Sequence, residues 1–164
     1  MALVKLTGNT STIERIGDRV LKHITSFLDY GVFEREIHIL KEFRGLWFVP
    51  TMIDFSIGHR VIEMEYVGED LRTAKVPVNA GEQADSILAA LECFRMHHND
   101  IRPDNVTVKN GQLYLIDWQW AGRLTPPTDW PVNLGGKFRA GWPEWRFDDA
   151  VSLKKTLGLA TMQS

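Results

Sequence analysis

Residues 106 to 116, VTVKNGQLYLI, constrain the fold more than any other stretch of the chain. Apolar and polar residues alternate on both sides of Asn110-Gly111, the dipeptide that best supplies the positive φ angles of a two-residue hairpin turn. The spacing predicts that Val106 to Lys109 pairs with Gln112 to Ile116. Such a hairpin folds the chain back and carries Asn105, just before its first strand, towards Asp117, just after its second. Asp100 lies a few residues upstream, in the run HHNDIRPDN. Two carboxylates and an amide around one hairpin end call for a chemical explanation.

At 164 residues the chain is the size of one domain, and residues 1–164 are expected to fold as a single unit. A formal charge of −2 without a basic stripe implies no nucleic-acid partner. The single cysteine, Cys93, excludes an internal disulfide and a thiolate metal cluster, and it is expected to pack as a small apolar residue on a helix. MALVKLTGNT is too short and polar for a signal peptide, and no apolar run approaches a membrane span. A soluble cytoplasmic protein is the expectation.

The first half reads as short strands in ALVKL, STIERI, RVLKHI, TMIDFSI and RVIEMEY, separated by turn signals at Gly8-Asn9, Gly17-Asp18 and Gly58-His59 that suit an antiparallel meander. One helix interrupts them over about 27 to 43, with Ser26-x-x-Asp29 as its capping box. In the second half, Asn79-x-x-Glu82 caps a helix running to about His97, and the hairpin follows. A loop of about thirty residues from Trp118 to Arg146 and a helix from about Asp148 to Leu159 complete the chain. The layout is α+β, with a β-rich half before a helical half.

On the first helix, Phe33, Ile37, Ile39, Leu40 and Phe43 define an apolar arc, and Glu36 falls within it. A core-facing carboxylate is costly unless paired, so Glu36 asks for a cation on the sheet below. Lys22 in RVLKHI is the candidate if it shares the inner face with Val20. The alternative is a Glu36 at the rim of the arc and a solvated Lys22.

Carboxylates with an amide between them form a natural site for Mg²⁺, a hard cation that takes one or two carboxylates together with substrate phosphates. Asn105 and Asp117 are the candidate ligands. Asp100 is left to orient or deprotonate a hydroxyl, and Arg102 and Lys22 supply positive charge against phosphate oxygens. His97-His98 followed by Asp100 admits a zinc reading, against which stands a structural role for His98 in bracing the loop around Asp117. Trp118, Trp120, Trp130, Trp142 and Trp145 are expected to pack rather than bind substrate, and GGKFR (135 to 139) to be a solvated loop.

The segment HNDIRPDN (98 to 105) resembles the protein-kinase catalytic loop, H-R-D-L-x-x-x-N, and similar loops occur in RIO-type kinases, lipopolysaccharide kinases and aminoglycoside phosphotransferases. The resemblance implies Asp100 as catalytic base, Asn105 as a metal ligand, and Asp117 in DWQ as the metal-binding acid carried elsewhere in D-F-G. VLK (20 to 22) is similar to the strand that ends in the phosphate-binding lysine, and EREIHIL (34 to 40) to the helix whose Glu pairs with it. VIEMEYVGEDL (61 to 71) resembles the hinge, with Met64 as gatekeeper and Glu65, Tyr66 and Val67 offering backbone groups to adenine. WPE (142 to 144) is faintly similar to A-P-E, and DAVSL (149 to 153) to the helix whose Asp braces the catalytic loop.

The resemblance covers roughly residues 3 to 157. It implies a two-lobed protein-kinase-like fold: an N-lobe over about 1–66 with an antiparallel sheet and one helix, a hinge over about 65–71, and a shortened, mainly helical C-lobe over about 72–164. The activity implied is transfer of the ATP γ-phosphoryl group, with Mg²⁺, to a hydroxyl on a protein Ser/Thr or a small molecule. The alternative is a non-catalytic nucleotide-binding module. The Gly-rich loop of the family is replaced by LTGNTST (6 to 12), where Gly8, Asn9, Thr10 and Ser11 would cradle phosphate with backbone N–H groups and hydroxyls.

Overall fold

In the computed structural model, which describes residues 4–7, 11–25, 31–123 and 144–159, five short strands make one antiparallel sheet. They are β1 (Val4–Thr7), β2 (Ser11–Ile16), β3 (Arg19–Ile24), β4 (Met52–Ser56) and β5 (Val61–Glu65), in the order β1-β2-β3-β5-β4. The expected meander holds only as far as β3. β5 then takes the place beside β3, and β4 lies at the edge. Burial explains the swap: β5 carries Ile62 and Met64 into the core, whereas Ile53 of β4 is 46% exposed and its strand is kinked by a register shift between Met52 and Asp54. A bulged, partly polar strand suits an edge.

Helix α1 (Val32–Glu42) crosses between β3 and β4 and buries Val32, Phe33, Glu36, Ile37, Ile39 and Leu40. It begins later than the sequence suggests, because Gly31, in the left-handed region at φ 76°, is its N-cap. Ser26 and Asp29 lie outside the described residues, as do the turn residues Gly8 and Asn9.

The predicted hairpin is present as β7 (Val106–Lys109) and β8 (Gln112–Leu115), joined by Asn110 and Gly111 at φ 52° and 76°. A two-residue strand missed in the sequence, β6 (Glu69–Asp70), pairs with β7 to make a second, three-stranded sheet. Two residues carry no periodicity to read. Gly68 permits this pairing: its φ is 96°, and a Cβ there would stand 1.8 Å from the Val108 carbonyl oxygen.

Helix α2 (Ala80–Cys93) buries Ala80, Ala84, Ile87 and Leu91. It stops short of His97 because the chain turns away through Arg95 at φ 50°. The Asn79 side chain does not cap it but accepts from Gln83 Nε2 at 2.8 Å. Cys93 is exposed rather than packed, since it lies two residues beyond Leu91, off the buried stripe. Helix α3 (Asp149–Thr156) is capped by Asp148, whose carboxylate accepts from the Val151 N–H at 3.0 Å.

One apolar cluster, with Phe33, Leu40, Ile62, Ile87, Leu113, Trp118 and Leu153 among its members, runs through sheets and helices. The architecture is α+β: antiparallel sheets with three helices among the described residues. None of those helices is long and apolar enough to cross a membrane.

Candidate active site

The period-2 pattern of β3 places Lys22 and Ile24 on the buried face, with Val20 packed against the core beside them. α1 presents Glu36 to that face. Lys22 Nζ donates to Glu36 Oε2 at 2.7 Å and Oε1 at 3.0 Å, and to Asp117 Oδ1 at 2.9 Å. Lys22 and Glu36 are 4% and 1% exposed, so this is a buried ion pair. Burial alone would push the ammonium towards neutrality, but Asp117 and then Glu36 outweigh it and hold the Lys22 pKa above its ordinary value. Glu36 moves the other way in its preference for charge: burial raises its pKa most, Lys22 pulls it down, and Asp117 pushes it up again. Three contacts of 2.7 to 3.0 Å on one nitrogen are ion-pair geometry, so the direction at Lys22 governs.

Asp117 reaches this cluster because it ends the hairpin in a left-handed conformation, φ 63° and ψ 66°, which Asp tolerates better than most residues. The next residue donates its backbone N–H to Glu36 Oε1 at 3.3 Å. The Ile116 N–H bonds the Asn105 carbonyl at 3.0 Å, which closes the hairpin end that holds Asn105 and Asp117. Asn105 Nδ2 donates to the Asp100 carbonyl at 2.8 Å and to Asp100 Oδ2 at 3.0 Å. Its Oδ1 is therefore the amide's remaining acceptor, as Oδ2 is for Asp117. One amide oxygen and one carboxylate oxygen are donors that suit Mg²⁺ in company with phosphates. Among the described residues, no group of three or more His, Cys, Asp or Glu side chains could hold a metal ion.

His98 holds the loop together from below. Its Nε2 lies 2.9 Å from the Ile116 carbonyl, and its Nδ1 accepts the Asp100 N–H at 3.3 Å. That pattern requires the neutral ring with its proton on Nε2. Burial, the largest influence, lowers the His98 pKa despite the nearby Asp149 carboxylate. Asp149, at the start of α3, accepts the N–H groups of His98 at 2.7 Å and Asn99 at 3.1 Å. This is the bracing role that the family resemblance implies for the acid of DAVSL.

The sequence-predicted residues do not all converge. Lys22, Glu36 and Asp117 share one cluster, and Asp100 and Asn105 bond each other. Arg102 is half exposed, with Nε 3.1 Å from Asp104 Oδ1 and a longer 3.7 Å from Asp100 Oδ1, so its charge is shared with a neighbour the sequence did not single out. Met64 is buried opposite Val20 and Met52. In the segment after β5, the Glu65 N–H goes to the Thr51 carbonyl, the Tyr66 N–H to Asp18, the Tyr66 carbonyl to Lys109 Nζ and the Val67 carbonyl to Thr107 Oγ1. Ser11 opens β2 and is buried, whereas Gly8, Asn9 and Thr10 lie outside the described residues. Trp118 and Trp120 pack inside as expected, Trp145 is 42% exposed, and Trp130, Trp142 and GGKFR lie outside the described residues.

Thr107 and Lys109 were missed. Their alternation with Val106 and Val108 puts them on one face of β7, a legible signal, but nothing in the sequence says that the neighbour on that face is the Tyr66–Val67 backbone.

The fold of the chain has a likeness among solved structures. It is similar to WbdD as solved in a co-crystal structure with the kinase inhibitor LY294002, with a TM-score of 0.58 and 18% identity, over 94% of this chain and 45% of that one. The likeness is one of fold, and this chain spans less than half the length of that structure. The sequence matches no protein-family model and no curated protein.

Proposed function

We propose that the chain is an ATP-dependent phosphotransferase with a two-lobed kinase-like arrangement: about residues 1–66 in one lobe, about 65–71 as hinge and about 72–164 as a reduced second lobe. The observation that carries the reading is Lys22 Nζ held between Glu36 and Asp117, at 2.7 and 2.9 Å, by three separate elements. A buried cation costs a fold roughly several kcal/mol unless paired, and here its partner Asp117 shares the hairpin end with Asn105, to which Asp100 is hydrogen-bonded.

In this mechanism Lys22 meets the α and β phosphates of ATP, and Glu36 fixes its position. Asn105 and Asp117 would hold Mg²⁺, which would supply positive charge against the phosphates when bound. Asp100, steadied by the Asn105 amide, accepts the hydrogen bond of the acceptor hydroxyl and aims its oxygen at the γ-phosphorus. The new O–P bond forms as the bond to the β-phosphate oxygen breaks; ADP departs, and the hydroxyl proton passes to the Asp100 carboxylate. Val67 offers its N–H to the base. Acceleration comes from positioning and preorganised charge.

The test is transfer of labelled γ-phosphate to Ser/Thr peptides and to small hydroxylated acceptors. Transfer that disappears in Asp100→Ala, with ATP binding retained, supports the reading. Binding without transfer to any acceptor or to the chain itself would instead favour a non-catalytic nucleotide-binding module, the reading that the single glycine of LTGNTST favours. Phosphate release that needs no acceptor would make the chain a hydrolase.

A further inference from the structure

Arg102 stands between two carboxylates, and one of them is the base assigned above. Its Nε lies 3.1 Å from Asp104 Oδ1 and 3.7 Å from Asp100 Oδ1. The nearer contact is built by the backbone. Residues Pro103–Asn105 form one short 3-10 turn, which the Asn105 N–H closes on the Arg102 carbonyl at 2.8 Å and the Leu71 N–H anchors at the Pro103 carbonyl at 3.0 Å. That turn carries Asp104 back beside the Arg102 side chain. The other cation that feels Asp104 is Arg72, but Asp70 grips it with both oxygens, at 3.0 Å to Nε and 2.6 Å to Nη2. The charge of Asp104 is left to Arg102.

The two acids differ in what an arginine would do to them. Asp100 is 3% exposed, and its Oδ2 takes the Asn105 amide at 3.0 Å. A guanidinium closing on it would come as a planar fork spanning both carboxylate oxygens, the ground that the acceptor hydroxyl must reach. Arg102 is near enough to do this: from 3.7 Å, a small rotation of the side chain brings it to charge-assisted hydrogen-bond distance, about 2.8 Å. Asp104, with its side chain 30% exposed, lies nearer water, so pairing there strips less of it from the guanidinium. A half-exposed pair of this kind adds little stability. Its consequence is geometric.

We propose that Asp104 is a positioning residue for the transfer: it holds the Arg102 guanidinium off Asp100, so that the acceptor hydroxyl, not the arginine, meets that carboxylate. The inference rests on the phosphotransferase reading above, in which Asp100 receives the acceptor, and it gives a role to a residue that touches neither nucleotide nor acceptor. Without Asp104, Arg102 swings on to Asp100 and competes with the acceptor. Without Arg102, Asp104 has nothing to hold.

The test is a double-mutant cycle on transfer of labelled γ-phosphate from Mg-ATP to whichever Ser/Thr peptide or small hydroxylated acceptor the wild type phosphorylates, together with crystal structures of the nucleotide-free variants. Asp104→Ala and Asp104→Asn should lower kcat/KM for the acceptor about five- to tenfold while KM for ATP changes less than about twofold. Asp104→Glu keeps the charge and should keep most of the activity. In an Arg102→Ala background, Asp104→Ala should change kcat/KM less than about twofold. In nucleotide-free Asp104→Ala, Arg102 should lie within about 3 Å of Asp100. An equal loss in both backgrounds, an unchanged kcat/KM in Asp104→Ala, or an Arg102 that stays clear of Asp100 in that variant overturns the proposal and leaves the functional reading standing. A wild type that transfers phosphate to no acceptor overturns both.

Discussion

Two buried polar centres stand on either side of Trp118, and they solve the same problem differently. On one side Lys22, Glu36 and Asp117 hold charge against charge, and the Trp118 N–H adds a hydrogen bond to Glu36. On the other side a neutral His98, its ring 4.6 Å from that of Trp118, and the Asp149 carboxylate hold backbone groups of the loop that carries Asp100. The first centre contains a cation that an anionic ligand can share; the second contains nothing for a ligand and fixes geometry. Charge against charge holds the first centre, and hydrogen bonds to backbone hold the second.

The comparison is broken most severely by Lys22→Met, which leaves Glu36 buried beside Asp117 with no cation. A loss of about 3–5 kcal/mol is expected in urea unfolding. Adding Glu36→Leu should restore much of it, because a buried pair replaced by apolar side chains costs little. A double variant no better than the single one would show that the pair is not the source of the loss.

Gly68→Ala comes next. A left-handed alanine whose Cβ meets the Val108 carbonyl must push β6 from β7, at about 2–4 kcal/mol, visible as a lower melting temperature and faster exchange of the Glu69 and Val108 amides. On the neutral side, Asp149→Asn should cost about 1–3 kcal/mol, since one of two charged acceptors for the His98 and Asn99 N–H groups is lost. If Asp149→Asn proved costlier than Lys22→Met, the contrast between the centres would be wrong.

The smallest effect is a pH dependence from His98. Its folded pKa lies below its unfolded value of about 6.5, so the unfolded chain binds the proton first. The stability that neutral His98 contributes is fully present above about pH 6.5 and is lost as pH falls towards the folded pKa, by at most about 1.4 kcal/mol per pH unit. Urea midpoints between about pH 7 and 5 should fall more steeply for wild type than for His98→Gln.

The sequence carried the local parts of this picture and missed the long-range ones. The hairpin was legible because Asn110-Gly111 and a period of two coincide. Glu36 was legible as a misfit on an apolar arc, and Lys22 as its partner, because cost and countercharge are local arguments. The exchange of β4 and β5 was not legible, since strand order depends on which strand the whole core buries. Nor was β6, which is too short for a pattern and is held by Gly68. The second ion pair of Lys22, to Asp117, joins residues 95 positions apart and needs the folded chain to be seen.

The most direct test of the central claim, that the charged centre serves a Mg-nucleotide, is the melting temperature of wild type and of Asp117→Asn with ATP, with and without Mg²⁺. At a hundredfold excess over the dissociation constant, binding adds about 2.7 kcal/mol, a rise of roughly 5–10 °C for a domain of this size. The prediction is that wild type shows this rise with Mg-ATP, shows less of it with ATP alone, and that Asp117→Asn loses the Mg²⁺-dependent part. Identical melting of wild type with and without Mg-ATP would contradict the account.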